Sequence, residues 1–237
     1  MNGDTLEHTP VLLNEVIRTI NPKSGKLYFD ATFGWGGYTK KLLDSCACEV
    51  IAIDQDPKVK SRAKEFKREY GTRFNFIESK FSEICSVLKK LNTKKVDGFM
   101  FDIGVSSMQL DNPQRGFSFN KEGPLDMRMG NSELTAEEFI NSVSEDELAD
   151  IIYNYGDERK SRRIAKLIVE HRKINPIKTT LHLADIVLKA NPKKNNYKKH
   201  PATKTFQAIR IYLNDEFKEL FVGLTNAEQA LSEDGKI

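Results

Sequence analysis

The stretch Leu27-Tyr28-Phe29-Asp30-Ala31-Thr32-Phe33-Gly34-Trp35-Gly36-Gly37-Tyr38-Thr39 decides how the chain is read. An apolar run ends in an acid, passes through three closely spaced glycines, and gives way to an amphipathic stretch carrying Leu42 and Leu43. That is the pattern of a strand, a tight turn and a helix. Glycine lacks a Cβ, so such a turn can take positive φ and expose backbone amides at the start of the next helix to a small anionic molecule. The spacing Gly34, Gly36, Gly37 does not fit the dinucleotide fingerprint G-x-G-x-x-G, and many glycine-rich turns exist for packing alone.

The following residues add weight. Glu49-Val50-Ile51-Ala52-Ile53-Asp54 is a near-continuous apolar run closed by a carboxylate, as in a strand buried on both faces of a parallel sheet. Asp54 lies 54 − 36 = 18 residues beyond Gly36, near the spacing at which an acid accepts from a ribose hydroxyl. Asp56-Pro57 opens a helix with Val59, Ala63, Phe66 and Tyr70; Arg73 to Ile77 alternates like a strand; and Ser82 is read as the cap of a helix with Ile84, Val87, Leu88 and Leu91. Phe81 then stands at the end of the third strand, where it can stack on an adenine or simply fill the core. Val96 to Asp102 is a fourth strand, so Asp30, Asp54 and Asp102 all close strands at one sheet edge. Ligand hydroxyls or amines give acids a reason to gather there. The loop that follows, residues 102–111 and then Arg115-Gly116-Phe117-Ser118-Phe119, lacks regular periodicity and is rich in donors and acceptors, as expected where a substrate is gripped.

With 237 residues the chain can hold one α/β domain plus an insertion. Its 37 basic and 34 acidic residues leave a net charge of +3, too even to announce a nucleic-acid protein by total alone. Three cysteines, with Cys46 and Cys48 in a C-x-C, make neither a disulfide framework nor a paired zinc motif, and no metal is expected. Reduced thiols in a cytoplasmic protein are the expectation. No stretch approaches the roughly 18 to 20 apolar residues of a membrane span, and the N-terminus shows no leader pattern.

At the N-terminus, Thr9-Pro10 with Val11, Leu12, Val16, Ile17 and Ile20 predicts a capped helix stopped by Asn21-Pro22. From Asn131 the pattern turns to short helices. Thr135-x-x-Glu138 and Ser144-x-x-Glu147 are capping boxes, Gly156 ends the second of those helices, and Thr180 caps another with Leu183, Ile186 and Val187. Between them a helix over residues 158–173 carries Arg159, Lys160, Arg162, Arg163, Lys166, Arg172 and Lys173, read as a solvated face. From Ile186 to Asn214 there are seven basic residues and no acid. Lys193, Lys194, Tyr197, Lys198, Lys199, His200 and Lys204 interleave cations with rings, as a phosphate backbone with unstacked bases requires. Phe206, Ile209, Leu213, Phe217, Leu220, Leu224 and Leu231 predict one long packed helix, closed by Ser232 to Gly235, with a fifth strand opening at Lys236.

Several of these runs match a known family. Thr9-Pro10-Val11-Leu12-Leu13, the turn Asp30 to Gly37, Ala52-Ile53-Asp54-Gln55-Asp56-Pro57, Asp102-Ile103-Gly104-Val105-Ser106-Ser107 with Gln109-Leu110-Asp111, Arg115 to Phe119, Pro124 to Met129 and His200 to Arg210 closely resemble the bacterial small-subunit ribosomal RNA methyltransferase H family, over nearly the whole chain. The resemblance implies an α/β, Rossmann-like class I methyltransferase with a parallel sheet and an inserted helical subdomain. It implies S-adenosylmethionine as cofactor and, as activity, N4-methylation of a cytosine in the decoding region of 16S-type rRNA. The partner is that RNA or a pre-assembled small subunit. Carried over by motif, the cofactor contacts are Gly36, Gly37, Tyr38, Asp54, Phe81, Asp102 and Gln109, and the acceptor loop is Asp102, Gly104, Ser106 and Ser107. The family usually has histidine where this chain has Tyr38, which a backbone contact would tolerate.

The expected organisation is a first part of the cofactor domain at residues 1–111, a substrate-recognising helical insertion at 112–203, and a return to the cofactor domain at 204–237. The family's sheet has seven strands and continues into a Ser-Phe-His-Ser loop, so its C-terminal strands are expected to be missing here. Two rival readings stand beside this one. A non-catalytic RNA-binding remnant would keep the basic segment without a complete pocket. A nicotinamide-dependent oxidoreductase would also want a glycine turn and Asp54, but the broken fingerprint and the lack of a hydride-relay histidine speak against it.

Overall fold

The computed structural model describes residues 10–192 and 200–237. They divide into two compact units, the first made of residues up to Gly104 together with Lys218–Ile237, the second of Val105–Phe217.

The first unit contains helix α1 (Leu13–Ile20), strand β1 (Leu27–Asp30), α2 (Gly37–Ser45), β2 (Glu49–Asp54), α3 (Lys60–Tyr70), β3 (Phe74–Glu78), α4 (Ile84–Lys90) and β4 (Val96–Met100). After the second unit the chain returns through α11 (Glu216–Ala230) and β5 (Leu231–Lys236). All five strands are parallel, in the order β3-β2-β1-β4-β5. Parallel strands are buried on both faces, which is why β1, β2 and β4 are apolar runs: Phe29, Ile51, Ile53, Val96 and Phe99 are each at most 2% exposed. Burying each such side chain is worth about 1.5–3 kcal/mol.

Local signals hold at several starts. Asp56 accepts from the Lys58 amide with Pro57 in the first turn of a short 3-10 helix. Elsewhere the structure corrects the sequence reading. α1 begins at Leu13, with Pro10 outside it, and Thr9 lies outside the described residues. Ser82 is not a cap: its amide and hydroxyl both donate to Glu219, while Glu83 accepts from the Lys80 amide. The expected long helix is two, because Asp215 takes φ 50 and the buried Asn214 side chain bonds Met129 N and Met127 O. Asp and Asn tolerate that left-handed conformation better than most residues. α11 turns Gly223, Ala227 and Ala230 inward, leaving Phe217, Phe221 and Leu224 exposed at 57, 73 and 39%. The fifth strand occupies Leu231–Lys236, earlier than expected, and covers the β4 edge. Lys95 fixes its start by donating to the carbonyls of Gln229 and Leu231. Satisfying an open edge outweighs the poor strand propensity of Ser232 to Gly235.

The second unit comprises α5 (Ser107–Asp111), α6 (Ala136–Ser142), α7 (Glu145–Gly156), α8 (Ser161–Ile174), α9 (Thr180–Ala190) and α10 (Thr203–Leu213) around a core that includes Leu125, Met127, Ile140, Leu148, Ile164 and Leu183. Thr135 and Glu138 form a full capping box. Ser144 accepts from Glu147 N, but the Glu147 carboxylate takes the Tyr212 hydroxyl instead of closing its box. α7 runs through Gly156 to an Asp157 cap at φ 48, and Thr179, not Thr180, caps α9. The basic face of α8 is partly spent inside the unit. Arg172 donates to the carbonyls of Ile140 and Val143 at 2.6 Å each, closing the end of α6; Lys160 donates to Asn191; and Arg162 pairs with Asp146 and Asp150. No helix among the described residues is long and apolar enough to cross a membrane.

Candidate functional site

In a parallel sheet of this order the chain leaves β1 and β4 toward opposite sides, and the crevice at their carboxyl ends is where ligands of open α/β sheets bind. Two backbone ties define it here. Ala31 N donates to Met100 O at 2.9 Å, and Asp102 N donates to the Thr32 hydroxyl at 2.8 Å. Two residues further on, Gly34 N donates to Asp54 Oδ2 at 2.8 Å, and Phe33 N to Ile53 O at 3.0 Å. One turn therefore anchors both Asp54 and Asp102, which lie at the same sheet edge.

The turn's geometry follows from its glycines. Gly34 and Gly36 take φ 49 and 80, values that suit glycine. A Cβ on Gly36 would lie 2.4 Å from Phe66 Cζ, within a ring cluster that joins Phe33, Phe66 and Phe74. Around Gly34 the nearest atom to such a Cβ is 3.9 Å away, so this face of the turn is open. α2 starts directly after Gly36, and among the described residues no side chain caps it. Its first amides have no intrahelical acceptor and carry the positive end of the helix dipole, a fit for a carboxylate.

Three acids meet here. Asp30 is fully buried, accepts from the Thr39 hydroxyl at 2.7 Å and Thr32 N at 3.1 Å, and is pushed up to about 6. Burial is the main cause, the two hydrogen bonds pull the other way, and the charges of Asp54 and Asp102 add to the rise. Asp54 is also pushed up to about 6 by burial, against the pull of amide donors from Asp56, Gly34 and Gln55. A carboxylate offers roughly four acceptor positions, so those amides leave room for one hydroxyl donor. Asp102 is exposed, followed by Ile103 at 59% and by Gly104 at φ 119.

The remaining predicted residues are placed as follows. Phe81 is half-buried at the end of β3, edge-on to Phe101 at 5.4 Å, with its Cβ close against Gly223. Tyr38 is buried in the first turn of α2. Gln109, Ser106 and Ser107 belong to the second unit, where the expected irregular loop contains α5. Ser106 caps that helix by accepting from Gln109 N, and the buried Gln109 accepts from Ser106 N in return. His200 packs against Phe119 with ring centroids 4.7 Å apart and planes tilted by 38°, and accepts from Ala202 N, and Lys204 donates to Asp157. Phe117, in the loop expected to grip a substrate, is buried beneath Arg115. Lys193, Lys194, Tyr197, Lys198 and Lys199 lie outside the described residues. The sequence reading missed Thr39, whose hydroxyl donates to the Asp30 carboxylate, and Thr32, whose hydroxyl accepts from the Asp102 amide. Their partners lie 9 and 70 residues away along the chain, so no local pattern marks them.

The sequence pattern of the MraW methylase family matches residues 5–237. The ribosomal RNA small subunit methyltransferase H of Rickettsia canadensis (strain McKiel) is 54% identical over 230 residues, covering 97% of this chain and 73% of that protein. Its namesake from Rickettsia massiliae (strain Mtu5) is 53% identical over 230 residues, covering 97% and 74%. With a parallel sheet of Rossmann-like methyltransferase type and a glycine turn that anchors two strand-end acids, the chain belongs to the MraW methylase family.

Proposed function

We propose that the protein is an S-adenosylmethionine-dependent enzyme that methylates N4 of a cytosine in the decoding region of small-subunit ribosomal RNA. The observation that carries this reading is the attachment of Asp54 and Asp102 to one turn, through Gly34 and Thr32, beside the uncapped start of α2. The names of the relatives supply the RNA. In this reading the amides at Gly37 and Tyr38 receive the carboxylate end of the cofactor, Gly36, whose own amide donates to the Phe33 carbonyl, gives it room, Asp54 accepts from its ribose, Phe81 and Asp102 flank the adenine, and Gln109 is assigned to the cofactor by its motif. When bound, the cofactor supplies an electrophilic methyl group on a sulfonium sulfur.

The rest is alignment by the chain's own residues. The exocyclic amine of cytosine is a poor nucleophile because its lone pair is conjugated into the ring. Asp102 and the segment Gly104, Ser106 and Ser107 are assigned to accept one N–H and turn the nitrogen in line, which holds it at near-attack distance. The base must leave its stack to arrive, and His200, Lys204 and the basic residues before them are assigned to the RNA backbone. The second unit, Val105–Phe217, serves as the substrate-gripping insertion, wider than the 112–203 expected from sequence, and Lys218–Ile237 return to the cofactor domain. No side chain is assigned as base; the amine proton passes to water after transfer.

Incubating the purified protein with methyl-labelled S-adenosylmethionine and immature small subunits should place label in a nucleoside that comigrates with N4-methylcytidine. Label on a ribose or on another base would overturn the assignment.

A further inference from the structure

The segment ahead of α1 lies against the glycine turn of the first unit. The Pro10 ring sits so close to Gly37 that a Cβ there would be 2.3 Å from Pro10 Cγ and 2.7 Å from its Cδ, so this approach needs a glycine. One residue later, Tyr38 is 7% exposed and donates its hydroxyl to the Val11 carbonyl. Burial, with the charges of Asp102 and Asp30, pushes that phenol up to about 12, so it stays a donor across the physiological range. Leu12 follows in the left-handed region at φ 55, and Val11 and Leu12 point outward, 67 and 63% exposed. Apolar burial therefore does not hold Val11 and Leu12 down. Leu12 O accepts from Val16 N at the start of α1, and the two attachments to the first turn of α2 are the Pro10–Gly37 approach and the Tyr38 hydroxyl.

We propose that Tyr38 is a positioning residue that fastens Pro10–Leu12 as a strap beside the first amides of α2, and that the strap retards departure of a molecule whose anionic end rests on those amides. This rests on the reading that the glycine turn holds S-adenosylmethionine. It gives the Tyr38 side chain a task separate from its backbone amide, which is the part a cofactor carboxylate would use.

The test is stopped-flow dissociation of S-adenosylmethionine from the full chain, followed through Trp35, the single tryptophan, 49% exposed in the same turn. Tyr38→Phe keeps the ring and removes the tether, and should raise the dissociation rate about tenfold, the ceiling for one neutral hydrogen bond. Pro10→Ala loosens the strap from its other attachment and should act in the same direction, which covers the case in which Tyr38→Phe fails to fold. Hydrogen exchange of the peptide spanning Val11 to Ile20 should quicken in both variants. Cofactor binding with unchanged dissociation and exchange in both variants overturns the strap alone. No binding to the unmodified chain overturns the cofactor reading, and the strap's role in retention with it.

Discussion

The carboxyl ends of β1 and β2 finish in aspartates that burial pushes up to about 6, yet the two strand ends are put to different use. Asp30 is sealed, with its oxygens given to Thr39 and Thr32, and the turn that follows spends Gly36 on the Phe66 ring. Among the described residues Asp54 is held by backbone amides, beside the open face of Gly34. A perturbed acid is therefore a poor guide by itself. What separates a structural carboxylate from one prepared for a ligand is whether its partners leave an acceptor position facing open space.

The sharpest way to break that contrast is through the two glycines. Gly36→Ala combines a left-handed backbone with a Cβ driven into Phe66, and should cost about 4 kcal/mol of stability in urea melts. Gly34→Ala meets only the backbone penalty, about 1 kcal/mol. Equal losses would show that both faces of the turn are packed alike.

Next in size is the pH dependence of stability. The folded value of Asp30 lies above its unfolded value of 3.8, so the stability it contributes is fully present below pH 3.8 and is lost as pH rises through about 6. A shift from 3.8 to about 6 corresponds to about 3 kcal/mol between pH 3 and pH 8. Asp30→Asn should flatten that slope and leave cofactor affinity essentially unchanged; an unaltered slope would mean that Asp30 does not titrate as described.

The smallest effect belongs to β2. A ribose hydroxyl donating to Asp54 favours its carboxylate, so affinity for S-adenosylmethionine should rise as pH climbs toward 6 and level off above it, by at most about tenfold per pH unit. Calorimetry on Asp54→Asn should give a flat, weaker profile. A profile that tracks the unmodified protein would remove Asp54 from the cofactor site.

Much of this was legible beforehand, for reasons that can be named. β1, β2 and β4 announced themselves because strands buried on both faces leave no polar alternation to misread. Asp56-Pro57 and Thr135-x-x-Glu138 were readable as helix starts because their side chains bond within three residues. What failed depended on distant partners. Ser82 looked like a cap until Glu219, far along the chain, claimed it, and Glu147 gave up its box for Tyr212. The helix from Phe206 onward kept its apolar period across a break made by Asn214 and Asp215. α11 then buried its small residues instead of its aromatic ones, because Gly223 allows Phe81 to approach. In the site, sequence named Asp54 and Asp102 but not the turn atoms that join them, since a hydroxyl and an amide leave no pattern of their own.

Arg172 shows what such local commitments mean for an encounter with a polyanion. Its guanidinium spends two of its five N–H donors on the carbonyls that end α6, so its charge is already set against that helix end, and Lys160 and Arg162 are similarly engaged. Of the seven cations around α8, four are left to displace counterions. For a single-stranded target each phosphate contact steepens the plot of log affinity against log salt by about 0.7, so that helix can add a slope of about 3 rather than 5.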